Sequence, residues 1–252
     1  MDGATTVRLE GNVYASWSSA ARGDLRPGGP SLDDVAPLAA FAADVAIATT
    51  TRVDEVVWVT QVHGRAVVEA GAARVPTGLG GRPGCRNIGT ADAVVAVDPG
   101  VALCILTADC GSLALASPEG IFAAVHAGWR GLLDGVIEAT VDQMRVRGAT
   151  DIVGAIGPCI HVECYEFATS DLDLATSVYG EDLRGRTTDG LPALDLVAGM
   201  HAAMRACGVR AVGGTDACTS CGDGYYSHRA RHDTGRQALL VWMGSPGSGS
   251  EA

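Results

Sequence analysis

The sequence predicts an α+β fold in which helices and strands intermix through one domain. Three observations predict it. Short β-branched apolar runs, Val56–Val59, Val101–Leu106 and Ile121–Val125 among them, have the length and composition of buried strands. Between such runs lie stretches whose apolar residues recur at helical spacing. The 252 residues, 47% of them hydrophobic, suffice for one substantial core, and no internal repeat or linker divides them.

In chain order, a helix is expected from Ser31 to Ala48, with Ser31 and Asp33-Asp34 as cap-type residues. A strand follows, ending near His63. Gly71 to Thr90 is rich in Gly, Pro and Arg and lacks periodicity, so it reads as a long loop. Its arginines, Arg74, Arg82 and Arg86, belong either to a solvated surface or to a flap that grips an anionic group. Strands are expected at Ala93–Val97, Val101–Leu106 and Ile121–Val125. Leu132, Leu133, Val136, Ile137, Thr140, Val141 and Met144 then mark one amphipathic helix, whose free N–H groups would point back toward His126. A strand at Ile152–Ile156, helices at Ser170–Tyr179 and Leu194–Ala206, and strands at Val209–Val212 and Ala238–Met243 complete the expectation. Residues 1–243 read as a single catalytic domain and the Gly/Ser-rich 244–252 as a disordered tail.

Composition excludes several classes. A net charge of −11 argues against non-specific binding to nucleic acid or to an anionic membrane. No apolar run approaches a transmembrane span, and the first residues lack the form of a signal peptide, so a cytoplasmic location is expected. All 18 basic residues are arginine, which removes lysine Schiff-base chemistry and a lysine-bearing phosphate loop. Eight cysteines in such a chain read as buried, ligating or catalytic thiols rather than disulfides.

Three apolar runs each deliver a metal-type ligand near their C-terminal end: His63, Cys110 and His126. Strand ends that share a sheet edge lie close together. Two imidazoles and one thiolate would bind zinc and leave a fourth position open, the coordination of a catalytic site. Taken singly, each ligand has a plain structural alternative, a hydrogen-bonded histidine or an inert buried thiol. Asp109, beside Cys110, reads as a carboxylate that orients a histidine ligand, as a general base, or as a solvated turn carboxylate, and Arg130 as an anion clamp or a surface arginine. Tyr225-Tyr226-Ser227-His228-Arg229 through Gly235-Arg236 is dense in donors and aromatics, as in a pocket where a planar base stacks on a tyrosine and arginines hold an anion, or in a surface hairpin. Cys218-Thr219-Ser220-Cys221 is a CxxC pair whose following histidines stand too near for a zinc finger; it reads as structural or as a second, minor metal site. His161-Val162-Glu163 matches half of a deaminase signature but lacks the other half downstream.

Thr60-Gln61-Val62-His63-Gly64, Ala91-Asp92-Ala93-Val94-Val95, Thr107-Ala108-Asp109-Cys110 and His126-Ala127-Gly128-Trp129-Arg130-Gly131 resemble the core motifs of a known family. So do Ile156-Gly157-Pro158-Cys159-Ile160 with Tyr165-Glu166, and Tyr226-Ser227-His228-Arg229 with Thr234-Gly235-Arg236. This is the YfiH-type or laccase-domain family, also called multicopper polyphenol oxidoreductases, whose members carry the names purine nucleoside phosphorylase and peptidoglycan editing factor. The resemblance covers about Val56 to Met243. It implies a single-domain α-β-β-α layered sandwich with mixed sheets. It implies zinc, ahead of copper, on His63, Cys110 and His126. It also implies phosphorolysis of adenosine, inosine, guanosine and methylthioadenosine, with adenosine deamination besides. A multicopper oxidase needs a blue-copper site plus a histidine-rich cluster, for which six histidines are too few.

The expected catalytic residues are therefore Cys110, His126, Asp109 and Arg130, and the expected substrate-binding residues Arg65, Arg86, Tyr226, His228 and Arg229. The expected partners are a purine nucleoside and phosphate, with no nucleic acid and no membrane, acting in a monomer or small homo-oligomer. Two other readings stand beside this one: a Cys110/His126 hydrolase acting on cell-wall peptide precursors, and a zinc-stabilised module without catalysis.

Overall fold

In the computed structural model, which describes residues 3–28, 35–71 and 82–244, two six-stranded sheets lie face to face with helices on both outer surfaces. The elements in chain order are β1 (Ala4–Arg8), β2 (Val13–Ser18), α1 (Ala36–Ala48), β3 (Glu55–Thr60), β4 (Val67–Glu69), β5 (Gly84–Thr90) and β6 (Ala93–Ala96). Then come β7 (Val101–Thr107), β8 (Gly111–Ala116), β9 (Phe122–Ala127), α2 (Trp129–Leu133), α3 (Val136–Val146), β10 (Val153–Ile156) and α4 (Thr169–Tyr179). The chain closes with β11 (Arg184–Arg186), β12 (Pro192–Leu194), α5 (Leu196–Ala206), β13 (Arg210–Gly214), α6 (His228–Arg231) and β14 (Gln237–Met243).

The first sheet has the order β1-β2-β14-β7-β3-β5, with β3 parallel to both β7 and β5 and the other pairs antiparallel. The second has the order β13-β10-β8-β9-β6-β4, parallel at its two outer pairs and antiparallel within. Strand alternation sorts the side chains into layers. On β7, Val101, Leu103 and Ile105 enter the layer between the sheets, while Ala102 and Cys104 meet α1. On β9, Phe122 and Ala124 enter the same central layer, and Ala123 and Val125 meet the helices of the other surface. Leu38, Phe41 and Val45 of α1 cover the first sheet, and Leu132, Ile137, Met144, Leu172 and Met200 of α2 to α5 cover the second. The layer sequence is thus α-β-β-α, as expected, with mixed sheets. Among the described residues no helix is long and apolar enough to cross a membrane.

Several elements differ from expectation. The helix expected over Leu132–Met144 is two helices, because Gly135 takes a left-handed conformation (φ 86°) that ends α2 and starts α3 in a new direction. The loop expected over Gly71–Thr90 contains β5, an edge strand whose Gly, Arg and Asn content carries little intrinsic strand signal and which is made by pairing with β3. β1, β2, β4, β8 and the β11–β12 hairpin were not expected. β8 is the consequential one, because it starts directly after Cys110. Its Leu113 and Leu115 face the helices and its Ala114 and Ala116 face the central layer. The expected capping residues Ser31, Asp33 and Asp34, the arginine Arg74, and all of the expected tail except Gly244 lie outside the described residues.

Phe122 is fully buried in the central layer. Phe122→Ala is expected to cost about 3–5 kcal/mol, read as a lower urea midpoint at unchanged m-value.

Candidate metal centre

One sheet contributes each histidine, and the turn that crosses between the sheets contributes the thiol. β7 belongs to the first sheet and β8 to the second, so Ala108-Asp109-Cys110 bridges the layers at one end of the sandwich. His126 follows Phe122 and Ala124 in alternation, so it enters the inter-sheet layer at the end of β9, where it is 2% exposed. His63 lies just beyond β3 in a left-handed conformation (φ 60°). The Gln61 amide aligns that strand end: its Nε2 donates to Leu106 O (2.8 Å) and its Oε1 accepts from Leu106 N (2.9 Å), prolonging the β3–β7 pairing by side chain.

The ligand atoms of His63, Cys110 and His126 all lie within 4.8 Å of one another, a group able to take one metal ion. Cys110 Sγ is 3.7 Å from His63 Nε2. Two glycines of the His126-Ala127-Gly128-Trp129-Arg130-Gly131 motif make room for this. A Cβ on Gly128 would stand 2.7 Å from the His63 ring and 3.2 Å from Cys110 Sγ, and one on Gly131 would stand 2.7 Å from Gly64 O. The start of α2 is therefore pressed against the His63 turn.

Asp92, fully buried, is the residue that sequence reasoning missed as part of the site, although it lies in a quoted motif. Its Oδ1 accepts from His126 Nδ1 (2.8 Å) and His63 N (2.9 Å), its Oδ2 accepts from Gly64 N (2.8 Å), and its carbonyl accepts from His126 N (2.7 Å). One carboxylate thus caps the His63 turn and holds the His126 ring, leaving His126 Nε2 for the ion. Burial by itself would raise the Asp92 pKa, but the bonds from His126, Gly64 and His63 outweigh it and bring the carboxyl below its ordinary range. Cys110 follows the same pattern. Burial raises its thiol, yet the neighbouring His126 and His63 draw it down, while Cys110 and Asp92 together raise His126 above an ordinary imidazole despite its own burial.

Beside the three ligands opens a cavity of about 540 Å³. Its lining also includes Gln61, Thr107, His228, Arg26 and Arg236. Arg26 and Arg236 are coupled through Asp24, whose carboxylate takes the Arg26 guanidinium (2.6 and 2.9 Å) and the Arg236 backbone N–H (3.0 Å).

Of the other expected site residues, only His228 joins this lining. Asp109 is 7% exposed and already engaged: Oδ1 accepts from Thr219 Oγ1 and Oδ2 from Arg229 N, each at 2.7 Å. These bonds hold a left-handed, non-glycine turn residue (φ 94°) in place, so its carboxylate shapes the turn that presents Cys110. Arg130 lies over the Trp129 ring at 4.3 Å, and Arg229 over the Tyr165 ring at 4.9 Å with Nη1 donating to Glu166 O. Arg65 donates to Asp134 O (3.3 Å), and Arg86 pairs with buried Glu55 (2.7 Å). Tyr226 packs its ring on Gly235 and donates its N–H to Gln237 Oε1 (2.9 Å). Arg26 is the arginine that sequence reasoning missed, while Arg236 belongs to the donor-rich segment read as a pocket lining.

A two-sheet sandwich with a two-histidine, one-cysteine group at its crossing turn defines the class, an α-β-β-α protein with a candidate metal centre. Residues 5–244 match the family model described as multi-copper polyphenol oxidoreductase laccase, and the chain belongs to that family. It is 36% identical over 236 residues to a purine nucleoside phosphorylase of Streptomyces griseus, covering 91% of each chain. It is 38% identical over 191 residues to a purine nucleoside phosphorylase of Streptomyces coelicolor, covering 75% of each. Among solved structures, a Neisseria meningitidis protein of the DUF152 family superimposes with TM-score 0.75 at 26% identity, covering 97% of this chain and all of that one. YlmD from Geobacillus stearothermophilus superimposes at 0.72 with 24% identity, covering 93% of each.

Asp92→Asn is expected to weaken metal binding about 10- to 100-fold in a competition titration, because the amide presents donors where Asp92 now receives them. The depressed Asp92 pKa contributes stability that is complete above the ordinary carboxylate pKa of about 3.9 and is lost as pH falls through the lower folded value. Acid unfolding of wild type should therefore show a component that Asp92→Asn lacks. In metal-free protein, the alkylation rate of Cys110 should hold nearly level from pH 8.5 to 7, where an ordinary thiol loses about tenfold or more.

Proposed function

We propose that the chain is a zinc-dependent purine nucleoside phosphorylase acting on adenosine, inosine, guanosine and methylthioadenosine, with adenosine deamination as a lesser activity. The observation that carries this reading is the lining of the cavity, which combines the His63/Cys110/His126 group with Arg26 and Arg236 and includes no carboxylate among the described residues. Its volume of about 540 Å³ suits a nucleoside. The names carried by the Streptomyces relatives support the same reaction.

The donor set fits zinc: two imidazoles and one thiolate, with Asp92 fixing the His126 ring and the cavity providing a fourth side. When bound there, the ion supplies Lewis acidity and a positive field beside the substrate. The other roles fall to side chains. In phosphorolysis a phosphate oxygen bonds to the ribose C1′ as the C1′–N9 bond breaks and the purine departs as the free base. Arg26 and Arg236 hold the phosphate and offset its charge, in a chain with no lysine for the task. His228 donates to the departing purine. Deamination instead needs a carboxylate to shuttle the proton. Asp109 is engaged with Thr219 and Arg229, and Asp92 with His126 and the His63 turn, which ranks phosphorolysis first. The copper-oxidase reading lacks ligands, since only two of the six histidines join the group.

The test is product chromatography from adenosine with and without phosphate, before and after chelation. Free adenine formed only with phosphate and only in metal-loaded protein is the expected result. Free adenine that still forms after chelation sinks the zinc dependence, and formation of neither adenine nor inosine puts the cell-wall hydrolase ahead. Arg26→Met should raise the phosphate KM about tenfold, roughly one charge-assisted contact, with a smaller change in the nucleoside KM.

A further inference from the structure

Three thiols and a carboxylate meet at a second place in the fold. The turn Val162–Cys164 follows β10, and Cys218 and Cys221 bracket a turn between β13 and α6. The ligand atoms of Glu163, Cys164, Cys218 and Cys221 all lie within 4.8 Å of one another. Cys221 Sγ is 3.3 Å from Cys164 Sγ and 3.3 Å from Glu163 Oε1, and Cys218 Sγ accepts the His161 backbone N–H at 3.4 Å.

Main-chain pairing brings the two segments together. Cys159 and Cys218 form a parallel bridge, with Cys159 N donating to Ala217 O (3.3 Å) and Thr219 N donating to Cys159 O (3.0 Å). The thiols are therefore delivered to one point by the backbone, ahead of any side-chain choice. Arg231 then threads the second turn, its guanidinium donating to the carbonyls of Thr219 (3.2 Å), Gly222 (3.1 Å) and Tyr225. Arg231 also pairs with Asp233 (3.0 Å), which anchors the turn to the start of the last strand's approach.

We propose that Glu163, Cys164, Cys218 and Cys221 form a second, closed zinc site. Cys218 and Cys221 have the two-residue spacing of one half of a structural zinc site, and Glu163-Cys164 supplies the other half. A tetrahedron with zinc–sulfur arms of about 2.3 Å has edges of about 3.8 Å, close to the separations already present. A single disulfide would leave the third thiol unused. Four protein donors leave no open position, so the site is structural rather than catalytic. On loading, the three thiols release their protons to solvent and stay as thiolates. The consequence reaches the first centre, because Thr219, between the two cysteines, donates to Asp109 in the turn that presents Cys110. The second site thus acts as a positioning element for the first.

The inference stands independently of the nucleoside reading, and zinc counting tests it. Wild-type protein purified under reducing conditions should carry two zinc ions per chain by elemental analysis. Cys221→Ser, at an exposed position, should carry one, and so should His63→Ala, which spares the second site. Cobalt substitution gives a second readout: sulfur-to-cobalt charge transfer should be strong in His63→Ala, with three thiolates, and weak in Cys221→Ser. One zinc per chain, lost in His63→Ala and unchanged in Cys221→Ser, overturns the proposal. So does a native intact mass short by two hydrogens that maps to a Cys164–Cys221 disulfide.

Discussion

The centre depends on one buried carboxylate. Asp92 sits at the entrance to β6 with no access to solvent, where an uncompensated charge is costly. The His126 ring and the backbone of the His63 turn provide the compensation. Its solvation therefore depends on two ligands that come from different sheets. Either histidine displaced would leave the carboxylate short of donors, so Asp92 couples ligand geometry to the packing of the sandwich.

The chemistry around the centre follows from what the chain lacks. Without lysine, anion recognition rests on guanidinium groups, which are planar and hold fixed forks. Most of those near the site are spent on structure: Arg130 on Trp129, Arg229 on Tyr165 and the Glu166 carbonyl, Arg86 on Glu55. Arg26 and Arg236 reach the cavity, and Asp24 links the two. The Arg26 guanidinium is held by the Asp24 carboxylate, whereas Arg236 gives Asp24 its backbone N–H and braces its own guanidinium on the carbonyls of Asp233, Thr234 and Gly235 (3.2, 3.0 and 2.8 Å).

The central strands and the meeting of His63, Cys110 and His126 were legible because burial on both faces leaves unbroken apolar runs, and a polar residue at the end of such a run stands out. Edge strands were not legible. β5 takes its conformation from β3, and its own Gly and Asn residues carry turn signals; β1 has strand-forming Thr and Val but only five residues and no apolar run. β8 was hidden because the Gly111-Ser112 start looks like a turn, while its alternating Leu and Ala are buried on both sides. Asp92 was hidden for a different reason. Its value lies in hydrogen bonds to a turn 28 to 30 residues earlier and to a ring 34 residues later, and no local pattern encodes those. Asp109 shows the converse error: a carboxylate next to a ligand suggests proton transfer, yet its two oxygens are consumed in building a left-handed turn.

The crossing of the chain between β7 and β8 has a temporal consequence. Because the thiol rides on the connection between layers while one imidazole comes from each layer, no subset of the elements can assemble the triad alone. A half-collapsed chain brings together one or two of these donors at most, so a group able to take a metal ion exists only once both layers have closed.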